Sequence, residues 1–231
     1  MKTIIMKTKL LTLLLAGLFQ STGYSQEIPA TAADILNKMG AVEKKISNLS
    51  ISFVQVIEFI SISEKQKIES ELTYKKPDKI YFRQISPVEQ IIVVNNKKVW
   101  LYNPAANAVY TGTFGKDWVG IPYFIPAIFT PAGNMSQLTK EYNIMLSSIT
   151  NTSYILILKP KKQEIKLEFE VWINKTSFLP DKSRFITDIV TCTTEITSVK
   201  TNLPVNNDLF NLKIPKSAKK LDFSDINFDK K

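Results

Sequence analysis

Between Leu72 and Tyr110 the chain reads LTYKKPDKIYFRQISPVEQIIVVNNKKVWLYNPAANAVY. Short apolar and aromatic runs alternate there with clusters of turn residues. Each run is too short for a helix and is bounded by Pro, Asn or Asp, which is the pattern of consecutive strands. Lys75-Lys76-Pro77-Asp78 makes a turn, with Pro77 fixing one backbone angle. Ser86-Pro87 breaks the next strand. Gln90–Val94 and Lys98–Tyr102 form a hairpin across Asn95-Asn96, a pair that tolerates left-handed backbone. Asn103-Pro104 turns the chain before Ala108–Thr111. Strands joined by such tight turns pair antiparallel.

The rest of the chain extends this pattern. Thr31 to Leu49 reads as a helix, because Ile35, Met39, Val42, Ile46 and Leu49 recur at helical spacing. Thr31 caps it, with Asp34 three residues on in a capping-box arrangement. Ser50–Phe59 and Gln66–Tyr74 are strands ahead of the opening stretch. Tyr142–Ile149, Tyr154–Lys159, Ile165–Ile173, Phe178–Phe185, Ile189–Val199 and a short pairing at Phe210–Leu212 follow it. Ile165, Leu167, Phe169, Val171 and Ile173 share one face, and Lys166, Glu168, Glu170 and Trp172 the other. Residues 116–138 differ: Pro122, Pro126 and Pro131 interrupt a dense apolar set, so short broken helices or an apolar loop fit there. The tail from Pro215 reads as exposed or loosely docked. About ten or eleven antiparallel strands in one sheet must curl, and one face then encloses an apolar space. The expected class is mainly β, a single curved antiparallel sheet forming an open half-barrel. The N-terminal helix and the proline-rich middle would cover it.

The first 25 residues stand apart. Lys2, Lys7 and Lys9 precede an apolar run from Leu10 to Phe19, too short to span a bilayer and suited to a cleavable export signal. Gly23 and Ser25 place the cut near Ser25, which leaves residues 26–231 as one domain. The chain has 30 Lys and Arg against 21 Asp and Glu. Losing the leader's three lysines leaves a net charge of +6. In an exported protein such a surface points to a solvated face, a membrane or an acidic partner, and away from nucleic acid. One cysteine, Cys192, closes no intrachain disulfide, so stability rests on burial. The chain has no histidine, which removes Ser-His-Asp and Cys-His catalysis and most zinc sites. No nucleophile elbow, dinucleotide fingerprint or phosphate loop is present. The spaced carboxylates of Asp222–Asp229 lack the glycine and closing glutamate of a calcium loop. Glu168 and Glu170 read as a solvated strand face beside lysines. We expect no enzyme, no metal and no cofactor.

Several of these segments, in order, are similar to the family of periplasmic lipoprotein carriers called LolA. Phe53-Val54-Gln55 resembles its F-x-Q strand, Lys75-Lys76-Pro77 its K-R-P turn, and Ile80-Tyr81-Phe82 with Pro87 its aromatic strand and proline. The closest likeness is Ile92-Val93-Val94-Asn95-Asn96-Lys97-Lys98-Val99-Trp100-Leu101-Tyr102-Asn103-Pro104. Phe210-Asn211-Leu212-Lys213-Ile214-Pro215 resembles the family's closing strand. Two departures are visible: Lys76 stands where the family has arginine, and Asn95-Asn96 replaces an aspartate-glycine turn.

The resemblance implies a half-barrel with a helical lid, in a monomer that takes acylated lipoproteins from an inner-membrane lipoprotein-releasing transporter. It would carry them across the periplasm to the outer membrane, where an acceptor receives them. A single exposed acyl chain costs about 0.8 kcal/mol per CH2 in water, so cargo of this kind needs an apolar shelter. Phe53, Leu72, Tyr74, Ile80, Phe82, Trp100 and Phe169 are the candidate liners. Trp118, Tyr123, Phe124, Ile128 and Phe129 are the candidate lid. Lys76 is the candidate lid lock, although it lacks the planar fork of arginine. Two other readings share the half-barrel: a carrier of a different hydrophobic ligand such as a phospholipid, and an envelope sensor. Sensors of that kind carry a further C-terminal domain, and the end of this sequence at Lys231 leads us to expect the carrier.

Overall fold

The computed structural model describes residues 31–113, 135–162 and 167–223. Its helix α1 (Ala32–Lys45) begins at the expected cap. The Thr31 hydroxyl accepts from the Asp34 amide at 3.3 Å, and the Asp34 carboxylate accepts from the Thr31 amide at 3.2 Å. The helix ends earlier than its apolar spacing predicts. Ile46 is extended (φ −88°, ψ 118°), and Leu49 already belongs to the first strand. A side chain 155 residues away sets that end. The Asn202 side-chain oxygen accepts from the Ser47 amide at 2.7 Å and from the Ser47 hydroxyl at 2.9 Å. Its side-chain nitrogen donates to the Lys45 carbonyl at 3.0 Å.

Six strands follow: β1 (Asn48–Phe59), β2 (Glu64–Lys75), β3 (Lys79–Ser86), β4 (Gln90–Asn95), β5 (Lys98–Asn103) and β6 (Ala108–Thr113). Helix α2 (Met135–Glu141) leads into β7 (Tyr142–Ile149), β8 (Ser153–Pro160), β9 (Glu168–Asn174), β10 (Pro180–Ile186) and β11 (Val190–Thr201). A 3-10 helix (Asn207–Phe210) and β12 (Lys219–Asp222) complete the described chain. All twelve strands form one sheet in the order β12-β6-β5-β4-β3-β2-β1-β11-β10-β9-β8-β7. Neighbours are antiparallel except β12, which pairs parallel to β6. β12 and β7 are the two edges and do not pair with each other, so the sheet is open.

Three local expectations are corrected. The β4–β5 turn is Asn96-Lys97, one residue later than Asn95-Asn96: Asn95 pairs with Lys98, and both turn residues have positive φ (49° and 63°). That is the left-handed pair a two-residue hairpin needs for its twist to match the strands. Phe210–Leu212 is not a strand. Phe210 closes the 3-10 helix and is 1% exposed, and its carbonyl accepts from the Asn95 side chain at 3.3 Å. The tail after Pro215 is not loose over its described part, because Lys219–Asp222 extends the sheet beside β6.

Residues paired across strands share a face, which identifies the inner surface. Leu101, Ile92, Phe82, Leu72 and Ile51 form one row across β5 to β1. Ile57, Cys192, Phe185, Phe169 and Leu158 form another across β1, β11, β10, β9 and β8. Helix α1 spans both halves of this face. Ile46, with Val42 against it, joins the core over β1 to β5, and Ile35, Leu36 and Met39 join the core over β8 and β9. The outer face carries ion pairs, Lys159–Glu168 at 2.7 Å and Arg184–Glu170 at 2.6 Å among them. Glu168 and Glu170 thus sit in ion pairs beside basic residues, and the Glu170 side chain, 16% exposed, is less solvated than the sequence led us to expect.

Candidate functional site

The candidate site is the inner face of the sheet. Alternation along each strand sends every second side chain there, and in β1 to β5 most of those side chains are large and apolar, with Gln55, Ser70 and Gln84 among the exceptions. Five of the seven candidate liners meet in one cluster: Phe53, Leu72, Tyr74, Ile80 and Phe82, each at most 5% exposed. The Phe53 and Phe82 rings lie 6.3 Å apart. Phe169 joins the second cluster, half-buried, with the Phe185 ring at 5.1 Å and the Tyr142 ring at 5.8 Å.

Trp100 does not join them. It pairs with Val93 and Thr111, and Val93 pairs with Tyr81, whereas Phe82 pairs with Ile92 and Ile92 with Leu101. The register therefore places Trp100 on the outer face and Leu101 on the inner. The five lid candidates, Trp118, Tyr123, Phe124, Ile128 and Phe129, lie outside the described residues. Ile46, Leu49, Ile51, Ile92, Val94 and Val99 also belong to the first cluster without having been candidate liners, and for Ile51 the phase it shares with Phe53 was the signal.

Lys76 sits where the β2–β3 turn meets the end of α1. Its backbone N–H donates to the Ser47 carbonyl at 2.9 Å, and its ammonium donates to the Glu43 carbonyl at 2.9 Å. The Glu43 carbonyl also accepts from Ile46, so it holds the helix end and the turn together. The ammonium lies at the negative end of the helix dipole, a favourable place for a cation. Burial raises the Glu43 carboxyl above its ordinary value, and the nearby Lys76 and Lys44 charges oppose that rise. Tyr74 donates its hydroxyl to the Pro77 carbonyl at 3.1 Å. Its phenol is pushed up by burial first, then by Glu43 and Asp78. Lys76 thus ties the sheet to the one described helix that spans the inner face.

Among the described residues no group of three His, Cys, Asp or Glu could hold a metal ion. Burial raises the Cys192 thiol, with a hydrogen bond to Thr194 opposing, which makes it a poor nucleophile. Apolar area without directional bonds accepts a flexible chain in many conformations. It rejects one only by shape.

Known proteins fit this geometry. The family model "Outer membrane lipoprotein carrier protein LolA" matches residues 44–213, well over half of the chain. A protein of Francisella tularensis subsp. tularensis named outer-membrane lipoprotein carrier protein is 25% identical over 202 residues, covering 84% of this chain and 91% of its own. One of the same name from Actinobacillus succinogenes is 24% identical over 217 residues, covering 94% of each. Among solved structures, an uncharacterized conserved protein from Thermus thermophilus shares the fold with a TM-score of 0.56 at 13% identity, covering 83% of this chain and 98% of its own. The MucB crystal structure matches with a TM-score of 0.50 at 16% identity, covering 82% of this chain and 65% of its own. The family is one of carriers, not enzymes. With its open twelve-stranded sheet and a family match across β1 to β11, this chain belongs to the LolA family of outer-membrane lipoprotein carrier proteins.

Proposed function

We propose that this protein is an exported periplasmic carrier. It would shelter the acyl chains of lipoproteins on the inner face of its sheet and shuttle them from the inner to the outer membrane. The observation that carries this reading is the largely apolar face running from β5 through β1 and β11 to β8 in an open sheet whose two end strands, β12 and β7, do not pair with each other. In this reading residues 1–25 direct export, an inner-membrane lipoprotein-releasing transporter supplies the cargo, and an outer-membrane acceptor takes it. The protein travels as a monomer. Phe53, Leu72, Tyr74, Ile80, Phe82 and Phe169 act as liners, residues 118–129 supply the lid, and Lys76 ties the covering helix to the sheet.

The test is to express the full chain in an export-competent host, purify it from the periplasm and identify by mass spectrometry what comes with it. The expected result is acylated lipoprotein in stoichiometric amount. Phospholipid without lipoprotein would turn the reading toward a different cargo, and the absence of both would contradict it.

A further inference from the structure

The inner face is not uniformly apolar. Gln55, Ser70, Gln84 and Thr194 are 3%, 2%, 7% and 3% exposed. They lie in two adjacent cross-strand rows. Gln84 pairs with Ser70, and Ser70 with Phe53. One pair further along β1, Gln55 pairs with Thr194, and Thr194 with Ser183. Ser70 and Gln55 are diagonal neighbours, close enough for one small group to touch both. The result is a polar stripe crossing β3, β2, β1, β11 and β10. The row of Leu101, Ile92, Phe82, Leu72 and Ile51 flanks it on one side, and that of Ile57, Cys192, Phe185, Phe169 and Leu158 on the other.

Part of this stripe is satisfied within the protein. Gln84 donates to the Val88 carbonyl at 2.9 Å, and Gln55 donates from Nε2 to the Thr194 hydroxyl at 3.0 Å. Two atoms are not. The Gln55 Oε1 and the Ser70 Oγ are both buried without a hydrogen-bond partner among the described residues. Turning the carboxamide over does not help, because one of its ends then still faces away from Thr194 with nothing to bond. A buried polar atom left unpaired costs stability, and alanine at 70 would remove that cost at its position. A core built for stability alone has no use for the pair.

Resting on the carrier reading, we infer that Gln55 and Ser70 bind the acyl linkage of the cargo, the ester or amide group that joins each fatty chain to its headgroup. The Ser70 hydroxyl donates to an acyl carbonyl, and the free end of the Gln55 carboxamide accepts an amide N–H or, turned over, donates to a second carbonyl. The stripe then fixes how deep a chain sits, with the hydrocarbon on the apolar rows and the linkage at the polar level.

The test uses the full chain, purified after export and stripped of lipid. Its probes are a synthetic diacylated lipopeptide, the dialkyl ether twin of the same chain length, and a matching diester and diether phospholipid pair. Ether twins keep the hydrocarbon and lose the carbonyls. Wild type is expected to prefer the ester in both pairs by about tenfold, and Gln55→Leu and Ser70→Ala each to reduce that preference about threefold to fivefold while ether binding is unchanged. The tighter of the two pairs identifies whether lipoprotein or phospholipid is the source of the linkage. Ser70→Ala is expected to melt at or above the wild-type temperature, since it removes an unpaired buried group, whereas Gln55→Leu also takes the Gln55 donor from the buried Thr194 hydroxyl and is judged by its ester preference alone. Equal binding of ester and ether twins by wild type would overturn the inference while leaving the carrier reading intact. So would a lowered melting temperature in Ser70→Ala with an unchanged preference in both variants. Failure of every probe to bind would contradict the carrier reading itself.

Discussion

Glu43 shows how one carboxylate reports on the joint between helix and sheet. Its carbonyl holds Lys76 and Ile46, while its half-buried carboxyl is raised above the ordinary 4.5, chiefly by burial. An acid raised in the folded state keeps its proton where the unfolded chain has released it. Its contribution to stability is therefore complete below pH 4.5 and is lost as pH climbs through the raised value. Glutamine in its place has no proton to lose. Glu43→Gln is expected to match wild type in pH dependence below that window and to gain stability relative to it across the window. Denaturant titrations at a series of pH values check this, and a gap that stays constant with pH would contradict it. At the same scale, Trp100 shows why some side chains could not be assigned from the sequence. Val99, Trp100, Leu101 and Tyr102 are all apolar, so alternation there does not say which face is which. The Asn96-Lys97 turn decides it by pairing Val94 with Val99, which sends Trp100 outward.

At the scale of elements, the end of α1 depends on Asn202 at the far end of β11. Three hydrogen bonds from that side chain hold Ser47 and Lys45. Its backbone φ is 57°, a left-handed value that glycine also adopts without strain. Asn202→Gly therefore isolates the side-chain bonds. It is expected to cost about 1–2 kcal/mol in chemical denaturation, since the bonds are solvent-exposed and net hydrogen bonds are modest. No loss would mean that packing alone sets the helix end. This contact explains the overlong helix expected from the sequence. Ile46 and Leu49 continue the helical spacing of Ile35, Met39 and Val42, and local spacing carries no trace of a partner 155 residues away. The strands were far more legible, because their turns are marked by Pro77, Pro87, Asn96 and Pro104 and their alternation is local. β12 was not. Four residues with two lysines and an aspartate do not look like a strand, and only the free edge of β6 makes them one. The inner cluster was legible for the same reason as the strands: Phe53, Leu72, Tyr74, Ile80 and Phe82 are in phase along turns that the sequence marks. The polar stripe was not, since it exists only once β3, β2, β1, β11 and β10 are laid side by side.

At the scale of the whole molecule, the sheet divides labour between its faces. One is largely apolar, crossed by α1 and interrupted by a polar stripe; the other carries ion pairs such as Lys182–Glu195 at 2.8 Å, although it also buries Val93 and Val109. A carrier needs such a difference between its faces, because acyl chains are sheltered only where apolar side chains are gathered. Strand β9 gives the sharpest contrast, since Phe169 faces inward beside Phe185 while Trp172 faces outward, with the Lys182 ammonium 5.5 Å from its ring. The two are three residues apart, equally aromatic and both half-buried. A photo-crosslinking amino acid placed at 169 or at 172, illuminated in the presence of an acylated lipopeptide, is the most direct measurement of which face holds the acyl chains. The account predicts capture at 169, competed away by unlabelled lipopeptide, and none at 172. Equal capture at both positions, or capture at 172 alone, would contradict it.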